Sequence, residues 1–142
     1  MHTIRQILAN KGSEIHTTSP ETTVYDGIRQ LGECGVGALL VMDGDRPAGM
    51  FSERDYARKI ILAGRGSRQT RVGEIMTSPL ISIEPSVSAA AGLAMMTEKR
   101  IRHLPVIEDD QLIGLVSIGD LVAAVIDDQQ HLIEQLERYV VG

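Results

Sequence analysis

Ser52 and Asp55 stand three residues apart, directly after Gly49-Met50-Phe51, and Ser117 and Asp120 repeat that spacing after Gly114-Leu115-Val116. The pattern Gly-apolar-apolar-Ser-x-x-Asp thus occurs twice, 65 residues apart. A hydroxyl three residues ahead of a carboxylate, where an extended run gives way to a helical one, has two readings. As structure alone it is a helix capping box, with Asp in place of the usual Glu. As a binding site it offers a phosphate the unpaired N–H groups of a helix N-terminus and a hydroxyl donor. An ionised Asp accepts hydrogen bonds only, which suits the paired hydroxyls of a ribose. The preceding glycine would let the backbone come close to a ligand. Phosphate plus diol describes a nucleotide.

Other chemistry finds little support. Neither serine has a base partner, since Asp at i+3 is a poor substitute for His, and no nucleophile–base–orienter set is visible. The chain has no Gly-x-Gly-x-x-Gly and no Gly-Lys-Ser/Thr, so a nucleotide must bind in another way. His16, His103 and His131 are far apart and Cys34 is the only cysteine, so no metal-ligand spacing exists. Cys34, flanked by glycine residues at a helix end, is expected to be an inert packing residue. Six of the 14 Lys and Arg residues lie within 54–71: Arg54, Arg58, Lys59, Arg65, Arg68 and Arg71. A second basic group, Arg100, Arg102 and His103, precedes the later extended run. Either set is a solvated cationic surface or a source of phosphate contacts, the latter through Arg54, Arg102 and His103.

The elements that must position these residues also come in duplicate. From Ile15/Leu80 to Tyr56/Leu121 the offset is constant and nine of 42 positions are identical, with apolar character matching where identity fails. Further back, Ile4, Ile7 and Leu8 match Val72, Ile75 and Met76 at an offset of 68, so each half begins with a short helical lead. Within a half the pattern reads β-α-β-β-α. Thr17-Thr18 and Ile81-Ser82-Ile83 are short extended segments. Thr23 to Cys34 and Ser88 to Lys99 have helical periodicity. Ala38 to Met42 and His103 to Ile107 are apolar strands, each followed by an acidic turn and a hairpin partner, Ala48 to Phe51 and Ile113 to Val116. A helix then starts at each Ser-x-x-Asp. The organisation expected is a first repeat with its lead over residues 1–66, a second over 67–126 and a helical extension over 127–142. The fold class is α+β, with two repeats packed sheet to sheet about a pseudo-two-fold axis and a cleft on each side. Neither half has enough large side chains to fold alone. In the extension, Val122, Val125, Ile126, Leu132, Ile133, Leu136 and Val140 recur at helical spacing; such a face either covers the module's own core or packs against a second subunit.

Composition bounds the partners. The 142-residue chain is 43% apolar but only 3% aromatic, so its core is aliphatic and stacking platforms for single-stranded nucleic acid are scarce. A net charge of −5 favours neither nucleic acid nor an anionic membrane. No run approaches the roughly 18 apolar residues of a membrane span. The first residues carry no long apolar stretch, so neither a signal peptide nor an extracellular location is expected, and a cytoplasmic protein is the reading.

The double Gly-apolar-apolar-Ser-x-x-Asp pattern within β-α-β-β-α repeats resembles the cystathionine-β-synthase (CBS) domain, here as a tandem pair covering nearly the whole chain. The segments Ser52 to Lys59 and Met96 to Val106 look like a bacterial stand-alone branch. In the first copy Gly37-Ala38-Leu39-Leu40-Val41 departs from the common His-x-Pro-Val, which bears on whether the two clefts fill equally. The resemblance implies a non-catalytic regulatory module, often a homodimer, that binds an adenosine-containing ligand such as AMP, ATP, NAD or S-adenosylmethionine. It implies that Asp55 and Asp120 hold ribose hydroxyls, with Ser52 and Ser117 beside ribose or phosphate. Thr17 and Ser82 would approach the adenine through backbone groups, and Val36, Ala38, Ile101 and Leu104 would form apolar walls. An interaction protein with empty clefts, or a nucleotide-processing enzyme, are the alternatives.

Overall fold

Secondary structure begins where the sequence supplies a cap. In the computed structural model, which describes residues 1–12 and 14–141, the Thr3, Thr23 and Ser88 hydroxyls accept from the backbone N–H groups of Gln6, Asp26 and Ala91. These open α1 (Ile4–Lys11), α2 (Val24–Cys34) and α5 (Ala89–Lys99). Capping residues at all three sites satisfy N–H groups that the first helical turn leaves without partners. At the other end of α2, Gly35 adopts the left-handed conformation that closes a helix (φ 66°). Arg100 takes the equivalent place after α5, at φ 57°.

The chain divides into two compact units, Ile15–Ile81 and Met1–Glu14 with Ser82–Gly142. In the first, β1 (Thr17–Thr18) runs parallel to β2 (Ala38–Asp43), which pairs antiparallel with β3 (Arg46–Ser52). A short α3 (Glu53–Tyr56) follows and runs on through a π-helical turn, Ala57–Ile61. Val24, Leu31, Leu39, Val41, Phe51, Ile60, Val72 and Ile75 form the core, the last two from α4 (Val72–Ile75).

In the second unit β4 (His103–Glu108) and β5 (Gln111–Ser117) form the hairpin, and α6 (Ile118–Val141) leaves it directly. Both hairpins carry a register shift at the same place, between Val41 and Met42 and between Val106 and Ile107. The duplication therefore extends to a bulge that sets strand twist. The expected strand at Ile81-Ser82-Ile83 is reduced to a single parallel bridge, Ile83 to Val106, so this sheet has two strands and the other three.

The boundaries drawn from the repeat differ from the packing. The lead α1 belongs with the second repeat, where Ile4 N–H donates to Val87 O at 2.9 Å and Ile4, Ile7 and Leu8 are buried. The lead α4 belongs with the first repeat, where Thr77 and Met50 exchange both backbone hydrogen bonds, at 2.8 and 3.1 Å. The motif glycines explain why. A Cβ on Gly49 would stand 2.7 Å from Thr77 O, and one on Gly114 would stand 2.6 Å from Leu8 Cδ2. These glycines make room for a lead segment, not for a ligand. Nor is 127–142 a separate extension, because α6 is continuous from the hairpin.

Only the first turns of α6 are covered: Leu121 and Ala124 are buried, whereas Val122, Ile126, Leu132, Ile133, Leu136 and Val140 are exposed. The apolar face read from the sequence is thus not the face that covers the unit's own core. Among the described residues no helix is long and apolar enough to cross a membrane.

Candidate functional site

Each Ser-x-x-Asp stands where its hairpin ends and a helix begins, and both form capping boxes. Ser52 N–H donates to Asp55 Oδ2 (3.0 Å) while Asp55 N–H donates to Ser52 Oγ (3.2 Å). Ser117 N–H donates to Asp120 Oδ2 (2.8 Å) and Asp120 N–H to Ser117 Oγ (3.2 Å). The first helical N–H groups have acceptors too, Glu53 to Gly37 O and Ile118 to Arg102 O. Most of the N–H groups that a phosphate could have used are therefore already bonded, and any anion must rely more on side chains.

The two carboxylates then part company. Asp55 is 6% exposed. Its Oδ2 also accepts from Ser52 Oγ, while Oδ1 accepts from Thr77 Oγ1 at 3.0 Å and faces Lys59 Nζ at 3.1 Å. Lys59 is held in turn by Ile75 O at 2.7 Å. Both oxygens of Asp55 are saturated from within its own unit. Asp120 accepts from Lys11 Nζ at 2.7 Å, again on Oδ2, so Oδ1 takes no hydrogen bond from the described residues. Its side chain is 24% exposed. Burial alone would raise the Asp120 carboxyl, but the bonds from Lys11 and Ser117 outweigh it and hold it below the usual carboxylate range. It is a stable anion with one open acceptor oxygen.

His103 pairs across the hairpin with Ser117. Burial pushes its imidazole down, against the pull of Asp120, and the positive charges of Lys11 and Arg102 push the same way as burial. Arg102 itself is exposed. This corner therefore gathers Lys11, Arg102, His103 and Asp120. The first repeat has Gly37 and Ala38 where the second has Arg102 and His103. Lys11 and Thr77 were missed by the sequence reading because they come from the exchanged leads, far from the motif in sequence.

The remaining candidates fall into three groups. Thr17, Ser82 and Arg102 are exposed; Val36, Arg54 and Ile101 are partly buried. Leu104 and Ala38 are 0% and 2% exposed, so they are core residues with almost no free surface to serve as ligand walls. In β1 it is Thr18, beside Thr17, that is buried, and its hydroxyl has no hydrogen-bond partner among the described residues. Much of the basic run at 54–71 is structural. Arg65 bonds Glu74 (2.9 Å), Arg71 bonds Glu21 O (2.6 Å), and Arg68 stacks over the Tyr25 ring, 4.2 Å from its centre. Cys34 is exposed and so is not a packing residue.

Known proteins share this arrangement. The CBS domain family matches residues 4–62 and 72–127. The mitochondrial CBS domain-containing protein CBSX3 of Arabidopsis thaliana is 40% identical over 99% of this chain and 72% of its own length. A solved CBS-domain structure from Burkholderia ambifaria MC40-6, named for a proposed role in signal transduction, superposes with a TM-score of 0.86. It is 53% identical, over 89% of this chain and 96% of that one. The CBS-domain protein ATU1752 from Agrobacterium tumefaciens superposes at 0.82 with 30% identity, over 86% and 98%. The two hairpin-to-helix corners, their duplicated bulges and these matches together place the chain in the CBS-domain family, as a tandem pair.

Proposed function

We propose that this chain is a non-catalytic regulatory module that binds an adenine nucleotide, of the AMP, ATP or NAD type, and passes its occupancy to a partner protein. The observation that carries the reading is the open Oδ1 of Asp120, on a partly exposed carboxylate held ionised beside cations. A carboxylate oxygen of this kind accepts the hydroxyls of a ribose, and the neighbouring positive charge suits a phosphate. The resemblance to other CBS pairs supports the adenosine class. Thermal melting with AMP, ATP, NAD and S-adenosylmethionine tests it. A ligand at about 100 times its dissociation constant adds roughly 2.7 kcal/mol. No shift with any of the four would remove the reading.

The module acts as a homodimer. Support comes from α6, whose residues 129–141 are all exposed yet carry Leu132, Ile133, Leu136 and Val140 along the helix. A helix end without packing is marginal in water, so this one calls for a partner surface. Ile133→Glu is expected to give a monomer in sedimentation velocity; an unchanged dimer would place the contact elsewhere.

A further inference from the structure

The corner at Asp120 carries more positive charge than its carboxylate needs. Lys11, at the last turn of α1, donates to Asp120 Oδ2 at 2.7 Å and to Leu115 O at 3.0 Å. An ammonium has three donors, so one is left over. The Lys11 side chain is 35% exposed. Lys11 and Arg102 both stand close enough to His103 for their charges to act on its ring, and the Arg102 carbonyl accepts from Ile118 N–H at the start of α6. With His103 neutral, Lys11 and Arg102 against Asp120 leave one net positive charge, in a chain whose net charge is −5. The other corner is built differently. Gly37 and Ala38 replace Arg102 and His103, and Pro79 stands at the position matching Lys11. Its own lysine, Lys59, holds Asp55 and Ile75 O much as Lys11 holds Asp120 and Leu115 O, but on a carboxylate with no open oxygen.

We infer that Lys11 is a specificity-determining residue that makes the Asp120 corner select a phosphorylated nucleoside over the bare nucleoside. The Asp55 corner, whose carboxylate has no open oxygen to hold a ribose, makes no such distinction. The inference rests on the nucleotide-binding reading and deepens it. A flexible ammonium already seated on the ribose-holding carboxylate bridges from that carboxylate to a phosphate on the same sugar. Losing it removes one charge-assisted hydrogen bond from the phosphate and none from the nucleoside.

The test is calorimetric titration of the full chain with AMP and with adenosine, for the wild type, Lys11→Gln and Lys11→Arg. The wild type is expected to bind AMP at least about tenfold more tightly than adenosine, the least a charge-assisted bond provides. Lys11→Gln brings that ratio close to one with adenosine affinity little changed, and Lys11→Arg retains it. A structural lysine would weaken both ligands alike and leave the ratio intact, which overturns the inference. Salt provides a second measurement that needs no variant: AMP affinity falls with ionic strength and adenosine affinity does not. Equal wild-type affinities for the two compounds sink the inference and spare the nucleotide-binding reading. Failure of both to bind removes that reading as well.

Discussion

One motif written twice in the sequence produces two different carboxylates. Asp55 is buried with both oxygens bonded, and its partners Ser52, Thr77 and Lys59 would all lose an acceptor on truncation. Asp55→Ala is therefore expected to cost roughly 2–4 kcal/mol, the sum of a lost cap and buried groups left unpaired. Asp120→Ala gives up a similar cap beside a half-exposed ion pair and costs about 1 kcal/mol. Urea denaturation of the two variants compares them, and equal losses would contradict the saturation argument. His103 adds a pH dependence. Its imidazole lies below the ordinary 6.5 in the folded chain, mainly through burial, so the unfolded chain binds its proton first as the pH falls. Its contribution to stability is complete above the unfolded value and is lost as the pH drops from there through the folded one. Asp120, Lys11 and Arg102 are the charges that face it. Stability curves from about pH 7 to about pH 5 should slope less for His103→Gln than for the wild type; identical slopes would assign the acid sensitivity to other groups.

At the scale of elements, the exchange of leads was the hidden fact. The β-α-β-β-α order was legible because its signals are local: Thr23 and Ser88 before helical periodicity, apolar runs before acidic turns. The destination of α1 and α4 was not, because a lead segment's sequence says that it needs a surface, not which repeat provides it. The glycines held the clue in a form that only coordinates could interpret. Gly49→Ala would press a methyl group against the Thr77 carbonyl within a pair of backbone hydrogen bonds, and should destabilise by about 1–3 kcal/mol. Gly114→Ala meets only the flexible end of Leu8 and should cost less. Thermal unfolding of the pair decides the matter, and a larger loss at Gly114 would reverse the argument. The basic run at 54–71 was legible as charge but not as role, since Glu74, the Glu21 carbonyl and the Tyr25 ring reach it only in the fold.

For the whole molecule, the sequence specified a duplicated aliphatic fold, and the departure of Gly37-Ala38-Leu39-Leu40-Val41 from His-x-Pro-Val bore on whether the two clefts fill equally, without showing which corner gathers the charge. The saturation of Asp55 could not be read, because Thr77 follows a lead that packs with the first repeat and not with the one it precedes in sequence. The α6 periodicity was legible, yet its face proved to be the exposed one, since Leu121 and Ala124 do the covering. On the proposed reading, a module built this way would sense its ligand through one open carboxylate oxygen and one tethered lysine. Calorimetric titration of AMP into the wild type, Asp120→Asn and Asp55→Asn addresses that claim most directly. The account predicts saturable binding that Asp120→Asn weakens by about tenfold or more and Asp55→Asn leaves nearly unchanged. Wild-type affinity in Asp120→Asn, or no heat of binding in any of the three, would contradict it.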